Sequence, residues 1–164
     1  MEFRITPFED ALESGLFEKL CIEAYGESIM PLWLWPDYMM EVFEGARRVF
    51  FCSYWSKKRQ AQIITTGIFG EVKDRMRYFN RVVNYLHEVG HDEVYIEILY
   101  SRDEQIAGVM ESGFEPFGTR MEEACKMLQF IHTPGGRGAR ESIKGHAPLR
   151  DPVEEASRGL TGIH

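Results

Sequence analysis

Glu111-Ser112-Gly113-Phe114-Glu115-Pro116-Phe117-Gly118-Thr119 is the stretch on which the fold turns. Gly113 has the place of a left-handed helix stop, and Phe114 that of the residue packing back onto the last turn. Ahead of it, Ser101 and Glu104 have the spacing of a capping box, and Ile106, Val109 and Met110 supply the apolar face of the helix they open. Behind it, 115–122 and 124–131 read as strands. Upstream of the capped helix, His91-Asp92-Glu93-Val94-Tyr95-Ile96-Glu97-Ile98-Leu99 reads as a strand over 93–99.

Working back to the N-terminus, a first strand ends in Arg4-Ile5-Thr6-Pro7. Asp10 and Glu13 form a capping box for a helix whose stripe is Leu12, Leu16, Leu20 and Ala24, stopped by Gly26. The proline-bounded Pro31-Leu32-Trp33-Leu34-Trp35-Pro36 leads to a short helix expected over 37–44. Segments 49–55 and 62–69 flank the polar Ser56-Lys57-Lys58-Arg59 and read as a hairpin. The strongest helix spans about 71–89, with a core stripe of Val72, Met76, Phe79, Val83 and Leu86 and a stop at Gly90. The methionines fall on apolar stripes or strands and read as core filler.

Residues 1–132 therefore make one α/β (α+β) domain: a mixed central sheet with about four helices. Residues 133–164 change texture at Thr133-Pro134-Gly135-Gly136-Arg137-Gly138 and are expected to form a flexible arm, with a short helix over 152–158. From Thr133 onward five basic residues face four acidic ones, giving +1, so the −7 of the whole chain leaves −8 on the domain. A globule that acidic repels phosphate backbones, which excludes nucleic acid as the expected partner. No apolar run approaches the roughly 20 residues of a membrane span. Cys21, Cys52 and Cys125 are odd in number and lie in apolar text, as reduced buried cysteines do, and a cytoplasmic setting is expected.

The ordered set of elements resembles the GCN5-related N-acetyltransferase (GNAT) family over about 130 residues, on the Gly-Phe turn 113–114, the central strand 91–99 and the opening strand. That resemblance implies acetyl-CoA, its pyrophosphate on backbone N–H groups at the start of the long helix. In the family this loop reads Gln/Arg-x-x-Gly-x-Gly/Ala; here it is Thr66-Gly67-Ile68-Phe69-Gly70-Glu71-Val72. Gly67 and Gly70 either cradle a cofactor or make a tight turn. Glu71 and Asp74 are expected in the first helical turn, where they oppose an anion. The family tyrosine four residues before its Gly-Phe glycine corresponds to Val109, which has no proton to give. Glu97, as a base, and Tyr100, as a substitute acid, are the remaining catalytic candidates. Short degenerate domains of this kind are also similar to a small internal virion protein of tailed bacteriophages, which implies a structural or assembly role in a virion.

His87-Glu88-Val89-Gly90-His91 spells the zincin pattern, which requires two histidines one turn apart on a continuous helix. Gly90 stops the helix before His91 and takes the second histidine out of register, so no metal site is expected. Trp33, Trp35 and Tyr38 either cover the core or anchor a protein partner. With Arg150, Val153 and Leu160 of the arm they are the residues expected to touch such a partner, in a complex, a homo-oligomer or a larger assembly. The reading is a GNAT-like scaffold without a cofactor that binds protein. The alternative is a divergent acetyl-CoA-dependent N-acyltransferase, for which a deep slot between the two central strands is the distinguishing feature. Zinc hydrolysis comes third.

Overall fold

The structure, a computed structural model, describes residues 1–28 and 34–134. The elements run β1 (Glu2–Pro7), α1 (Phe8–Glu13), α2 (Leu16–Tyr25), β2 (Tyr38–Glu44), β3 (Arg47–Lys57) and β4 (Gln60–Ile68). A 3-10 turn (Val72–Asp74) then precedes α3 (Arg75–Glu88), β5 (Glu93–Leu99), α4 (Asp103–Glu111), β6 (Glu115–Glu122) and β7 (Cys125–His132). The seven strands form one sheet in the order β1-β2-β3-β4-β5-β7-β6. Only β4 and β5 pair in parallel.

Both faces of the sheet are covered, and alternation along β3 shows how. Phe50, Cys52 and Tyr54 join Phe79, Val83 and Leu86 of α3 in the larger core. Phe51 points the other way, to Phe8, Phe17 and Leu20 of α1 and α2. A strand buried on both faces reads as an unbroken apolar run. That explains the correction at 37–44: Met39–Phe43 are buried throughout, and the segment is the strand β2, not a helix. Asp37 anchors its start, accepting the Ser56 backbone N–H on Oδ2 at 2.7 Å and the Phe8 N–H on its carbonyl at 2.9 Å.

The first helical stripe divides into two helices because Gly15 takes a left-handed φ of 79°. Asp10 lies inside α1 and caps nothing; the cap residue is Pro7. Likewise α4 begins after Arg102 with no side-chain cap, and Asp103 and Glu104 occupy its first turn. The Gly113 stop stands as read, with φ of 95° and the Phe114 N–H donating to the Val109 carbonyl at 3.0 Å. Among the expected core residues, Val72, Met110 and Met121 are exposed. Cys125 is exposed, whereas Cys21 and Cys52 are buried. No helix among the described residues is long and apolar enough to cross a membrane.

Candidate functional site

The parallel pair β4–β5 is short. Its register runs from Gln60↔Glu93 to Ile63↔Ile96 and then stops, although β4 continues to Ile68 and β5 to Leu99. The parting has a local cause. Ser53 opposes Thr65 and Tyr54 opposes Ile63, so Ile64 is an extra residue in β4, a bulge that turns the strand away. Beyond it the pairing ends, and the backbone edges the two strands present to each other are without a strand partner among the described residues.

Between them, under α3 and α4, lies a cleft of about 160 Å³. Ile64 and Thr66 form one wall and Ile96 the other, while Arg75 of α3 and Gln105 and Val109 of α4 close it. The slot that distinguishes a catalytic reading is therefore present. Val109 lines it, 4% exposed, so the position of the family tyrosine faces the cleft with an isopropyl group.

The charge at the helix entrance differs from the sequence reading. Helix α3 has no acid in its first turn. Glu71 precedes the 3-10 turn and pairs with Lys73 at 2.9 Å, and Asp74 precedes α3 and lies 3.7 Å from Arg77. The first α3 residue is Arg75, which lines the cleft. The positive end of the helix dipole and a guanidinium coincide there. A helix start displaced by four residues from the expected one brings Arg75 to the cleft, with Asp74 at the N-cap beside it.

Gly70 is exposed, and a Cβ there would meet nothing within 4 Å. Gly67 has a packing cause: its Cβ would stand 2.1 Å from Phe51 Cε1, on the α1–α2 face of the sheet. Glu97 is the first β5 residue past the last β4 pair. Its carboxylate is 3% exposed and accepts Arg120 Nε at 2.9 Å and Nη2 at 3.0 Å. Gln129 Nε2 adds a third bond at 2.8 Å. Tyr100 follows β5, is 60% exposed and has the Lys126 ammonium 4.9 Å from its ring centroid. Glu97 lines the cleft and Tyr100 does not, so the two catalytic candidates are not brought together there.

Sequence reading missed Arg75, Thr66 and Gln105, whose signal depends on where the helices start. It also missed Tyr25, the last residue of α2. Its hydroxyl feels Arg75 and the Thr66 side chain, both of which favour the ionised form, but burial of that end outweighs them and pushes its pKa up to about 12 although the residue is 42% exposed. Trp35 packs edge-on to Phe8 at 5.3 Å and Tyr38 lies over Tyr54 at 5.5 Å. Trp33, Arg150, Val153 and Leu160 lie outside the described residues. Gly90, with φ of 116°, does take His91 off the helix. The His91 carbonyl oxygen bonds to His87 Nδ1 at 2.7 Å, and no metal-holding cluster occurs among the described residues.

A mixed sheet with one parallel pair that splays at a bulge, roofed by two helices, is the fold of the GCN5-related N-acetyltransferases. No protein-family model and no curated protein matches the chain; the likeness is carried by structure. A ribosomal-protein-alanine N-acetyltransferase from Escherichia coli aligns at TM-score 0.55 and 10% identity, over 80% of this chain and 94% of that one. An acetyltransferase from Bacillus subtilis, in complex with CoA, aligns at TM-score 0.55 and 13% identity, over 80% and 99%. A spermidine N-acetyltransferase chimera from Vibrio cholerae aligns at TM-score 0.54 and 14% identity, over 63% and 71%. At these identities what is shown is the fold: the chain has the GNAT fold.

Proposed function

We propose that the protein is a divergent acyl-CoA-dependent N-acyltransferase. The observation that carries this reading is the open seam between Ile64–Ile68 and Glu97–Leu99. Two facing backbone edges need hydrogen-bond partners there, and an extended, amide-containing chain inserted between them would provide these as an added strand does. Arg75 at the α3 N-terminus fits the anionic end of such a ligand, with Thr66 and Gln105 as neutral polar contacts. Acyl-CoA, when bound, supplies a thioester already activated towards an amine. The residues of this chain bind and orient it and exclude water through Ile64, Ile96 and Val109.

No cleft side chain has the place of the family acid, and both oxygens of Glu97 are already held by Arg120 and Gln129. Slow turnover follows from that. The non-catalytic alternative, a scaffold that binds protein or belongs to a virion, draws its support from the same two residues, Val109 and Glu97. Calorimetric titration of the full chain with coenzyme A separates the readings. Micromolar binding that weakens at least tenfold in Arg75→Glu is expected, about 1.4 kcal/mol or more. No heat with millimolar coenzyme A would overturn the acyltransferase reading and favour the scaffold.

A further inference from the structure

His87 and His132 meet at the far end of α3 from the cleft, twelve residues and thus about 18 Å along the helix from Arg75. His87 Nδ1 lies 2.7 Å from the His91 carbonyl oxygen. A carbonyl only accepts, so that nitrogen carries the proton and Nε2 keeps a lone pair. The lone pair faces His132 Nδ1 at 2.8 Å, which must donate. On its other side the Ser112 backbone favours the charged form of His132, as a nearby carbonyl does. With both nitrogens donating, His132 is an imidazolium and every bond of the array is made. One proton fewer leaves only the Ser112 contact unmade. One proton more sets two N–H groups against each other across 2.8 Å.

We propose that His87 and His132 form an acid-sensitive latch between the ends of α3 and β7, closed with one added proton or none and opened by a second. His132 is the last residue of β7 and His87 lies in the last turn of α3. Opening therefore loosens the strand end at the point where the chain continues into residues 133–164. The pair is hemmed in. The Phe114 ring lies 5.0 Å from that of His132, and a Cβ on Gly113 would stand 3.3 Å from His132 Nε2.

The surrounding charges leave this logic intact. From α3 comes Glu88, exposed. From the following loop come His91, bonded to Ser56 and the Leu86 carbonyl, and Asp92, gripped by Arg59. Strand β5 offers Val94 opposite His132, β6 brings Glu115 opposite Ile131, and the end of α4 brings Glu111. Burial first, and then repulsion from His87 once that ring is charged as well, hold His132 below the usual histidine range, outweighing the Ser112 backbone. The unfolded chain thus takes up a proton on His132 near pH 6.5 that the folded chain refuses, and stability falls as pH drops below that point.

The test is side-chain nitrogen NMR of the two histidines in the full chain from pH 8 to 4.5, with urea midpoints for the parent, His132→Gln and His87→Gln. Two coupled titration steps are expected, the second at distinctly lower pH, with His87 protonated on Nδ1 before the first. The parent should lose stability between pH 6.5 and 5, and His132→Gln should flatten that slope. Two independent titrations at ordinary histidine pH, or a variant with the parental slope, would overturn the latch. If neither variant folds, the NMR titration of the parent decides alone.

Discussion

Glu97 and Arg120 form a bidentate ion pair, with Nε–Oε2 of 2.9 Å and Nη2–Oε1 of 3.0 Å, although β7 lies between their strands. Arg120 reaches across that strand, and Gln129 of β7 joins from beneath. The side chains are 3% and 10% exposed, so the charges are largely out of water; Arg120 also pairs with Glu122, whereas Arg120 is the cation that holds Glu97.

Removing one member should then cost far more than removing both. Arg120→Met is expected to destabilise by about 3 kcal/mol, because it strands a buried carboxylate. The double variant Arg120→Met, Glu97→Leu should recover at least half of that loss. Urea unfolding of the two variants and the parent measures it. A double variant as unstable as Arg120→Met would show that the pair itself is not the source.

Gly67 and Gly70 should separate in the same kind of measurement. Gly67→Ala drives a methyl into Phe51, at 2.1 Å in the undisturbed geometry, and overpacking of this sort costs about 1–3 kcal/mol. Phe51→Leu in the same chain should return part of it. Gly70→Ala, in open space, should leave stability within about 0.5 kcal/mol of the parent. Any loss of coenzyme A affinity in Gly70→Ala then reports on the site and not on folding.

The contrast between these glycines shows what the sequence could and could not convey. The Gly113-Phe114 turn, the 93–99 strand and the hairpin were legible because their cues are local. Helix 37–44 was misread because a strand covered on both faces lacks the polar alternation that betrays one. The presence of Arg75 at the cleft has a subtler origin. Glu71 and Asp74 were correctly seen, but a 3-10 turn placed the helix start at Arg75, and a displacement of one turn exchanged the residue facing the cleft. The Glu97–Arg120 pair was beyond reach, since its contact depends on a register through the intervening β7.

Cysteine reactivity should follow burial. Cys125 is exposed, and Cys21 and Cys52 are buried, the Cys52 thiol being pushed up to about 12 by burial. Only the thiolate reacts with an alkylating reagent. Mass spectrometry after brief iodoacetamide treatment at pH 8 should show one adduct, on Cys125, in the folded protein and three in urea. Rapid native labelling of Cys52 would mean that α3 lifts from this face of the sheet.

Asp37 should make the protein less stable at neutral pH than an uncharged isostere would. Its carboxylate accepts the Ser56 backbone N–H at 2.7 Å, which lowers its pKa. Although the residue is exposed, partial desolvation of the carboxyl raises it by more, and the net direction is upward from 3.8. In the unfolded chain the group ionises near 3.8, whereas the folded state keeps its proton to higher pH. Stability associated with Asp37 is thus greatest below about pH 3.8, falls as pH rises through the folded-state value, and stays reduced above it. Asp37→Asn keeps the oxygen that Ser56 needs and removes the charge. The variant should unfold at a higher urea concentration than the parent at pH 7, and the difference should shrink as pH is lowered towards 4. A parent more stable than Asp37→Asn at pH 7 would mean that the Ser56 bond to a charged oxygen outweighs its desolvation.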